Sequence, residues 1–129
     1  MLLALRHPRL WLVSGWTLVV LATIASIVPA RELPKLGGIS DKTEHMVGYA
    51  VLALWFAGIY PRTRYPAVGI GLLVMGIVIE GLQGAMKLGR HADLTDVYAN
   101  TIGIACGLVL ALIWLGGWAM RVEAWTKRP

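Results

Sequence analysis

The side chains best suited to chemistry lie in three polar stretches, each beside an apolar segment. The stretches are DKTEHMVGY at 41–49, EGLQ at 80–83 and RHADLTDVYAN at 90–100. Within each stretch the polar positions recur every three or four residues, so in a helix they would share one face. These positions are Asp41, His45 and Tyr49, then Glu80 and Gln83, then Asp93, Asp96 and Asn100. Lys42 and Arg90 are the nearest cations.

Carboxylates and an imidazole can transfer protons or bind a divalent cation, which makes Glu80, Asp96 and His45 the candidate catalytic residues. Glu80 follows LLVMGIVI, and a carboxylate inside a membrane segment is costly unless it is paired or faces a cavity. A divalent metal is a candidate cofactor, because oxygen ligands with one imidazole suit Mg²⁺ or Mn²⁺ better than a closed zinc site. The other polar side chains are candidates for ligand binding: Asp41, Lys42, Tyr49, Gln83, Arg90 and Asn100.

The composition is that of a membrane protein. The 129 residues are 57% hydrophobic and 15% charged, whereas soluble domains are about 45–50% apolar and about 25% charged. A helix needs about 20 mostly apolar residues to cross the hydrocarbon core. Four windows meet this requirement, at 10–28, 43–60, 66–86 and 95–118. We therefore predict an all-α fold: one domain, residues 1–129, forming an integral membrane bundle of four transmembrane helices. The first window is too long for a signal-peptide core, which favours a retained helix.

Charge predicts the orientation of the bundle. With four spans, both termini and the turn at 61–65 share one side. That side carries seven of the 12 Lys and Arg residues: Arg6, Arg9, Arg62, Arg64, Arg121, Lys127 and Arg128. Because cytoplasmic flanks are the basic ones, we expect both termini in the cytoplasm. The six tryptophans also fall toward this side. The net charge of +5 is spread over tails and a turn, which indicates anionic lipid rather than nucleic acid.

Several of these residues have simpler explanations. Asp41 and Asp93 could cap the N-termini of helices. The mixed cluster of cations and carboxylates could lock the helices together without any ligand. Gly103 and Gly107 form a G-x-x-x-G pair, for which packing inside the bundle is favoured over dimerisation. Cys106 has no intrachain disulfide partner and is expected to be a buried structural thiol.

The spacing of the three stretches resembles the VanZ-like family of membrane proteins. The family pattern looks like D-K-x-x-H-x-x-x-Y, then E-x-x-Q, then Arg with a downstream D-x-x-x-N-x-x-G. The matching positions span the second to fourth windows and are Asp41, Lys42, His45, Tyr49, Glu80, Gln83, Arg90, Asp96, Asn100 and Gly103. Glu44 and Asp93 depart from the commoner residue types at their positions. The resemblance implies a multi-pass protein of the bacterial cytoplasmic membrane, related to an accessory factor for glycopeptide resistance, notably to teicoplanin.

Three functions remain open. The first is an outward-facing polar pocket that binds or modifies an envelope lipid or a polyprenyl-linked or glycolipid cell-wall intermediate, with Lys42 and Arg90 on anionic oxygens. The second is an acid–base or metal-dependent membrane enzyme that uses Glu80, Asp96 and His45. The third is a structural partner protein whose polar cluster only locks the helices. A transporter is disfavoured because the polar residues crowd one end of the helices.

Overall fold

The computed structural model describes residues 1–28, 40–86 and 93–126, and the regular structure in those ranges is helical. A 3₁₀ turn at Arg62–Arg64 leads into the third helix, and a π-helical turn at Ala111–Leu115 extends the fourth. The all-α prediction is confirmed for this part of the chain. Arg90, a predicted binding residue, lies outside the described residues. The helices are α1 (Pro8–Ile27), α2 (Asp41–Ile59), α3 (Tyr65–Met86), α4 (Leu94–Leu110) and α5 (Trp118–Trp125).

Three helical segments are long and apolar enough to cross a membrane. They correspond to the first, third and fourth predicted windows and run over Pro8–Ile27, Arg62–Met86 and Leu94–Leu115. α2 is not among them, since its first turn carries Asp41, Lys42 and Glu44, which lower the hydropathy of the whole helix. These three segments support the membrane character predicted from the composition.

The polar ends of α2 and α4 are fixed by capping residues. Ser40 caps α2, where its hydroxyl oxygen accepts a hydrogen bond from the Thr43 N–H at 3.2 Å. Asp93 caps α4 by accepting from the Thr95 N–H at 2.8 Å. Capping is therefore confirmed for Asp93, whereas the N-cap residue of α2 is Ser40 and Asp41 is the first residue of that helix. Acidic residues in these first turns also suit the positive end of the helix dipole.

Two glycines allow α2 and α4, the most extensively packed helix pair in the described ranges, to approach closely. A Cβ added at Gly103 would collide with the Met46 carbonyl, and one at Gly107 would collide with the Ala50 carbonyl. The G-x-x-x-G pair thus packs inside the chain, as the sequence favoured. Because Asn100 lies one turn before Gly103 on the same face of α4, this approach presses a buried amide against α2.

Tryptophan rings hold the opposite end of the bundle. Trp11, Trp55 and Trp118 contact one another pairwise, with ring centroids 5.1 to 5.9 Å apart. The Trp118 indole also donates to the Leu54 carbonyl at 3.0 Å. Three of the six tryptophans that the sequence placed on one side therefore form a single cluster, and it ties α1, α2 and α5 together.

The chain turns back after the fourth span and contacts its own N-terminal segment. The predicted window ran to residue 118, but the helical segment ends at Leu115, and Gly117, with φ of 66°, directs the chain into α5. Glu123 on α5 accepts hydrogen bonds from the backbone N–H groups of Arg6 and His7, at 2.5 and 3.0 Å. These bonds, together with one from a tryptophan indole, lower the pKa of Glu123. α5 is therefore hydrogen-bonded to the segment that precedes α1.

Much of the apolar surface faces outward. Only 6% of the apolar window of α1 is buried, and large side chains such as Ile70 and Ile113 are more than half exposed. Cys106 is also exposed, so the expectation of a buried thiol was wrong. The reason is that a lipid-facing surface is as apolar as a protein core, and the sequence does not distinguish them.

Candidate functional site

A buried polar contact joins α2 and α4 at the end where both helices begin. The Nδ1 atom of His45 lies 3.0 Å from Oδ1 of Asn100, which is only 1% exposed. The other ring nitrogen of His45, Nε2, lies 4.0 Å from a carboxylate oxygen of Asp96. Because an amide oxygen only accepts hydrogen bonds, this contact favours a proton on Nδ1 and directs Nε2 toward the carboxylate.

Lys42 closes the rim of this cluster. Its ammonium group lies 3.1 Å from Asp93 and 3.4 Å from Asp96, and it also donates to the Thr95 hydroxyl. The hydrogen bonds from the Thr95 side chain and backbone, followed by the one from Lys42, lower the pKa of Asp93 to about 2. Two carboxylates therefore already neutralise the cation that the sequence assigned to anionic ligand oxygens.

Glu80 on α3 is buried beside the start of α4. One of its carboxylate oxygens accepts from the Asp93 N–H at 3.0 Å. The other oxygen, Oε1, is buried and has no hydrogen-bond partner among the described residues. Only one of the two Glu80 carboxylate oxygens therefore has a hydrogen-bond partner within the part of the chain that the structure describes.

Tyr49 carries a second buried polar atom of this kind, since its hydroxyl group also lacks a hydrogen-bond partner within the described ranges. Gly76 makes room for it: a Cβ there would lie 3.1 Å from the Tyr49 hydroxyl and 3.0 Å from the Asn100 amide nitrogen. Gly76 is one turn before Glu80 on the same face of α3. The Tyr49 hydroxyl of α2 therefore packs against α3 at Gly76, one turn before Glu80.

A cleft of about 190 Å³ opens between α1 and α2, and Tyr49 lines it. At its α1 side, the Ser26 carbonyl accepts from the Gln83 amide at 2.6 Å. Gln83 thus links α3 to α1, and this hydrogen bond does not involve the polar cluster on α2 and α4. The lining residues are Ala22, Ala25, Ser26, Asp41, Glu44, His45, Gly48 and Tyr49.

The structure brings most of the predicted site residues to one end of the bundle. The pattern of three or four residues located them correctly on their helices, because those helices pack with their polar faces inward. Three further residues contact the polar cluster or line the cleft and were not predicted from the sequence: Thr95, Ser26 and Glu44. Thr95 contributes a hydroxyl group and Ser26 a backbone carbonyl, and neither group has a distinctive sequence pattern. Glu44 could have been found, because it lies within the first polar stretch.

Asp41, His45 and Asp96 form a group that could hold a metal ion, since one ligand atom from each lies within 4.8 Å of the others. Two carboxylates and one imidazole suit a hard divalent cation. Asn100 would act as the outer partner that fixes the imidazole orientation. Glu80, which the sequence grouped with His45 and Asp96, is not in this set and contacts the Asp93 backbone instead.

The chain matches no protein-family model, no curated protein and no solved structure.

Proposed function

We propose that the chain is a VanZ-like multi-pass protein of the bacterial cytoplasmic membrane, with four transmembrane helices and both termini in the cytoplasm. α2 supplies the fourth span. It packs against α1, α3 and α4, and a helix enclosed by three others needs less apolar surface than one facing lipid. The orientation is supported by the tryptophan cluster and by Arg62 and Arg64, which lie at the end opposite the polar cleft.

The outward-facing end binds the polar head of an envelope lipid or of a lipid-linked cell-wall intermediate. The single observation that carries this proposal is the pair of buried oxygens, Tyr49 Oη and Glu80 Oε1, that have no hydrogen-bond partner among the described residues. Tyr49 also lines the open cleft. The large majority of buried side-chain polar atoms in proteins are hydrogen-bonded, so two exceptions on the facing sides of α2 and α3 mark a position where ligand groups would bind.

The contacts favour a particular kind of head group. Lys42 is already paired with Asp93 and Asp96, and Glu44 lines the cleft, so among the described residues a bare phosphate would meet carboxylates rather than a free cation. A head rich in hydroxyl or amide groups can instead donate to Glu80 and accept from Tyr49. A sugar or peptide head on a polyprenyl carrier fits this description, and its capture would connect the protein to glycopeptide resistance.

A metal-dependent or acid–base enzyme is the second candidate, favoured by the convergence of Asp41, His45 and Asp96. A divalent ion bound there would neutralise the two carboxylates and admit an anionic head group. The Lys42 ammonium, which lies 3.4 Å from Asp96, competes with such an ion for the same carboxylate.

Native mass spectrometry of the protein, extracted gently from a bacterial membrane, tests both candidates. We expect a glycolipid or polyprenyl-linked adduct on the wild type that is lost in Glu80→Gln, because the amide replaces an accepting oxygen while keeping the side-chain shape. Glu123→Gln at the opposite end is the matched control and should keep the adduct. A divalent ion that disappears in His45→Ala would favour the enzyme.

Two results would overturn the binding proposal. One is an equally abundant adduct in the wild type and Glu80→Gln. The other is the absence of any adduct in both proteins together with a loss of stability in Glu80→Gln. The second result would favour the structural reading, in which the cluster only locks the helices.

A further inference from the structure

A second and larger groove of about 560 Å³ lies between α1 and α3, with α2 as its floor. Its walls are built mainly from large apolar side chains, including Val19, Phe56, Leu72 and Met75. Its volume is within the usual range of small-molecule sites, about 300–1,000 Å³. None of its lining residues belongs to the polar cleft.

The groove faces the bilayer because α1 covers α3 only loosely. Trp16, on the α1 side of the groove, is 58% exposed. Along α3 the groove follows the helix from Ala67 to Met75, which corresponds to about 12 Å of rise. An apolar groove of this length that opens toward lipid is shaped for an acyl chain, which gains dispersion contacts along its whole length.

One end of the groove is cationic. Arg64 lines it there, next to Tyr60. No carboxylate of the described residues forms an ion pair with Arg64. Its neighbour Arg62 differs, since its guanidinium donates to the Leu112 carbonyl at 3.0 Å. A guanidinium matches the geometry of phosphate oxygens, and aromatic side chains with a polar tip suit the depth of lipid head groups.

We propose that this groove binds an anionic phospholipid, with one acyl chain between α1 and α3 and the phosphate paired with Arg64. The charge of Arg64 and the apolar lining together specify this occupant. The site lies at the opposite end of the helices from the polar cleft and takes a different class of lipid, so it stands apart from the function proposed above.

Gly71 provides a direct test. It lines the groove, and a Cβ added there has no atom within 4 Å, so a larger side chain begins in open space. Gly71→Leu should fill the groove and weaken phosphatidylglycerol binding about tenfold, the scale of one buried leucine side chain. Gly81→Leu is the matched control, since Gly81 is on the same helix, is equally open and does not line the groove.

The head group is tested with a second pair of variants. Arg64→Gln should weaken phosphatidylglycerol binding about tenfold, since a charge-assisted hydrogen bond is lost, and should weaken phosphatidylcholine binding less, because its choline cation already offsets the phosphate charge. Arg62→Gln should leave both unchanged. Titration of each delipidated protein with each phospholipid, followed by native mass spectrometry, gives the dissociation constants, and circular dichroism checks that each variant is folded.

Equal phosphatidylglycerol binding by folded wild type, Gly71→Leu and Gly81→Leu would overturn the proposal, because it would mean unspecific annular lipid. Equal affinity for the two phospholipids, unaffected by Arg64→Gln, would also overturn it, because the phosphate would then have no partner in the protein.

Discussion

The close approach of α2 and α4 at Gly103 leaves no room for a side chain at this position. In Gly103→Ala the added methyl group would collide with the Met46 carbonyl, which belongs to the α2 backbone and cannot rotate away. The two helices would have to separate. Since Asn100 is one turn away, its 3.0 Å contact with His45 would lengthen or break as well.

The magnitude follows from comparison with an open glycine. Overpacking a closely packed interior costs about 1–3 kcal/mol. Glycine to alanine also favours the helix by up to about 1 kcal/mol, but this gain is shared by Gly81→Ala, which meets no atom within 4 Å. The difference between the two variants therefore isolates the collision. We expect Gly103→Ala to be less stable than Gly81→Ala by about 1–3 kcal/mol.

Unfolding by sodium dodecyl sulfate in mixed micelles, followed by circular dichroism, measures this difference. Free energies of unfolding that agree within about 0.5 kcal/mol, the usual scatter of surface substitutions, would contradict the predicted collision. Such agreement would mean that α2 and α4 do not meet at Gly103.

Two further changes probe the ends of the bundle. Tyr65→Phe removes the hydrogen bond from a buried phenol to the Ala57 carbonyl, 3.0 Å long, and should lower the free energy of unfolding by about 1 kcal/mol, whereas Tyr98→Phe at an exposed position should not. A loss of unfolding free energy in Tyr65→Phe no larger than that in Tyr98→Phe would contradict the hydrogen bond to the Ala57 carbonyl. Asp93 has a folded-state pKa of about 2, below its ordinary 3.8, so its stabilising effect is complete above pH 3.8 and is lost as the pH falls toward 2. Asp93→Asn keeps a good capping residue and should flatten the stability profile in that acidic range. An unchanged profile would show that other groups dominate the acid sensitivity.

The helical pattern of the site could be read from the sequence because it is local. Intervals of three or four residues place Asp96 and Asn100 on one face of α4 whatever else the chain does. The same periodicity placed His45 and Tyr49 on one face of α2. The helix ends were predicted less accurately. The sequence offered Asp41 as a cap of α2, but the N-cap residue is Ser40, one residue earlier, and either residue type can accept the same hydrogen bond.

The membrane character was likewise present in the sequence, since long apolar windows need no knowledge of packing. What those windows could not specify is which surface faces lipid. Cys106 illustrates this: its neighbours in sequence are apolar, and the rotation of α4 alone decides that it lies outside. The opposite holds for α2. It is the least apolar of the long helices, yet it is buried, because its packing partners enclose it.

By itself, the sequence determined that this chain forms apolar helices with polar residues gathered near one end. Only the tertiary structure decided how those residues pair: Lys42 is neutralised by Asp93 and Asp96, and Gln83 is bound to α1. It also decided that Arg64 borders an apolar groove. The physical reason is that hydrogen bonds and ion pairs depend on distances of a few ångströms between helices far apart in the chain, and these distances follow from packing, which no local pattern encodes.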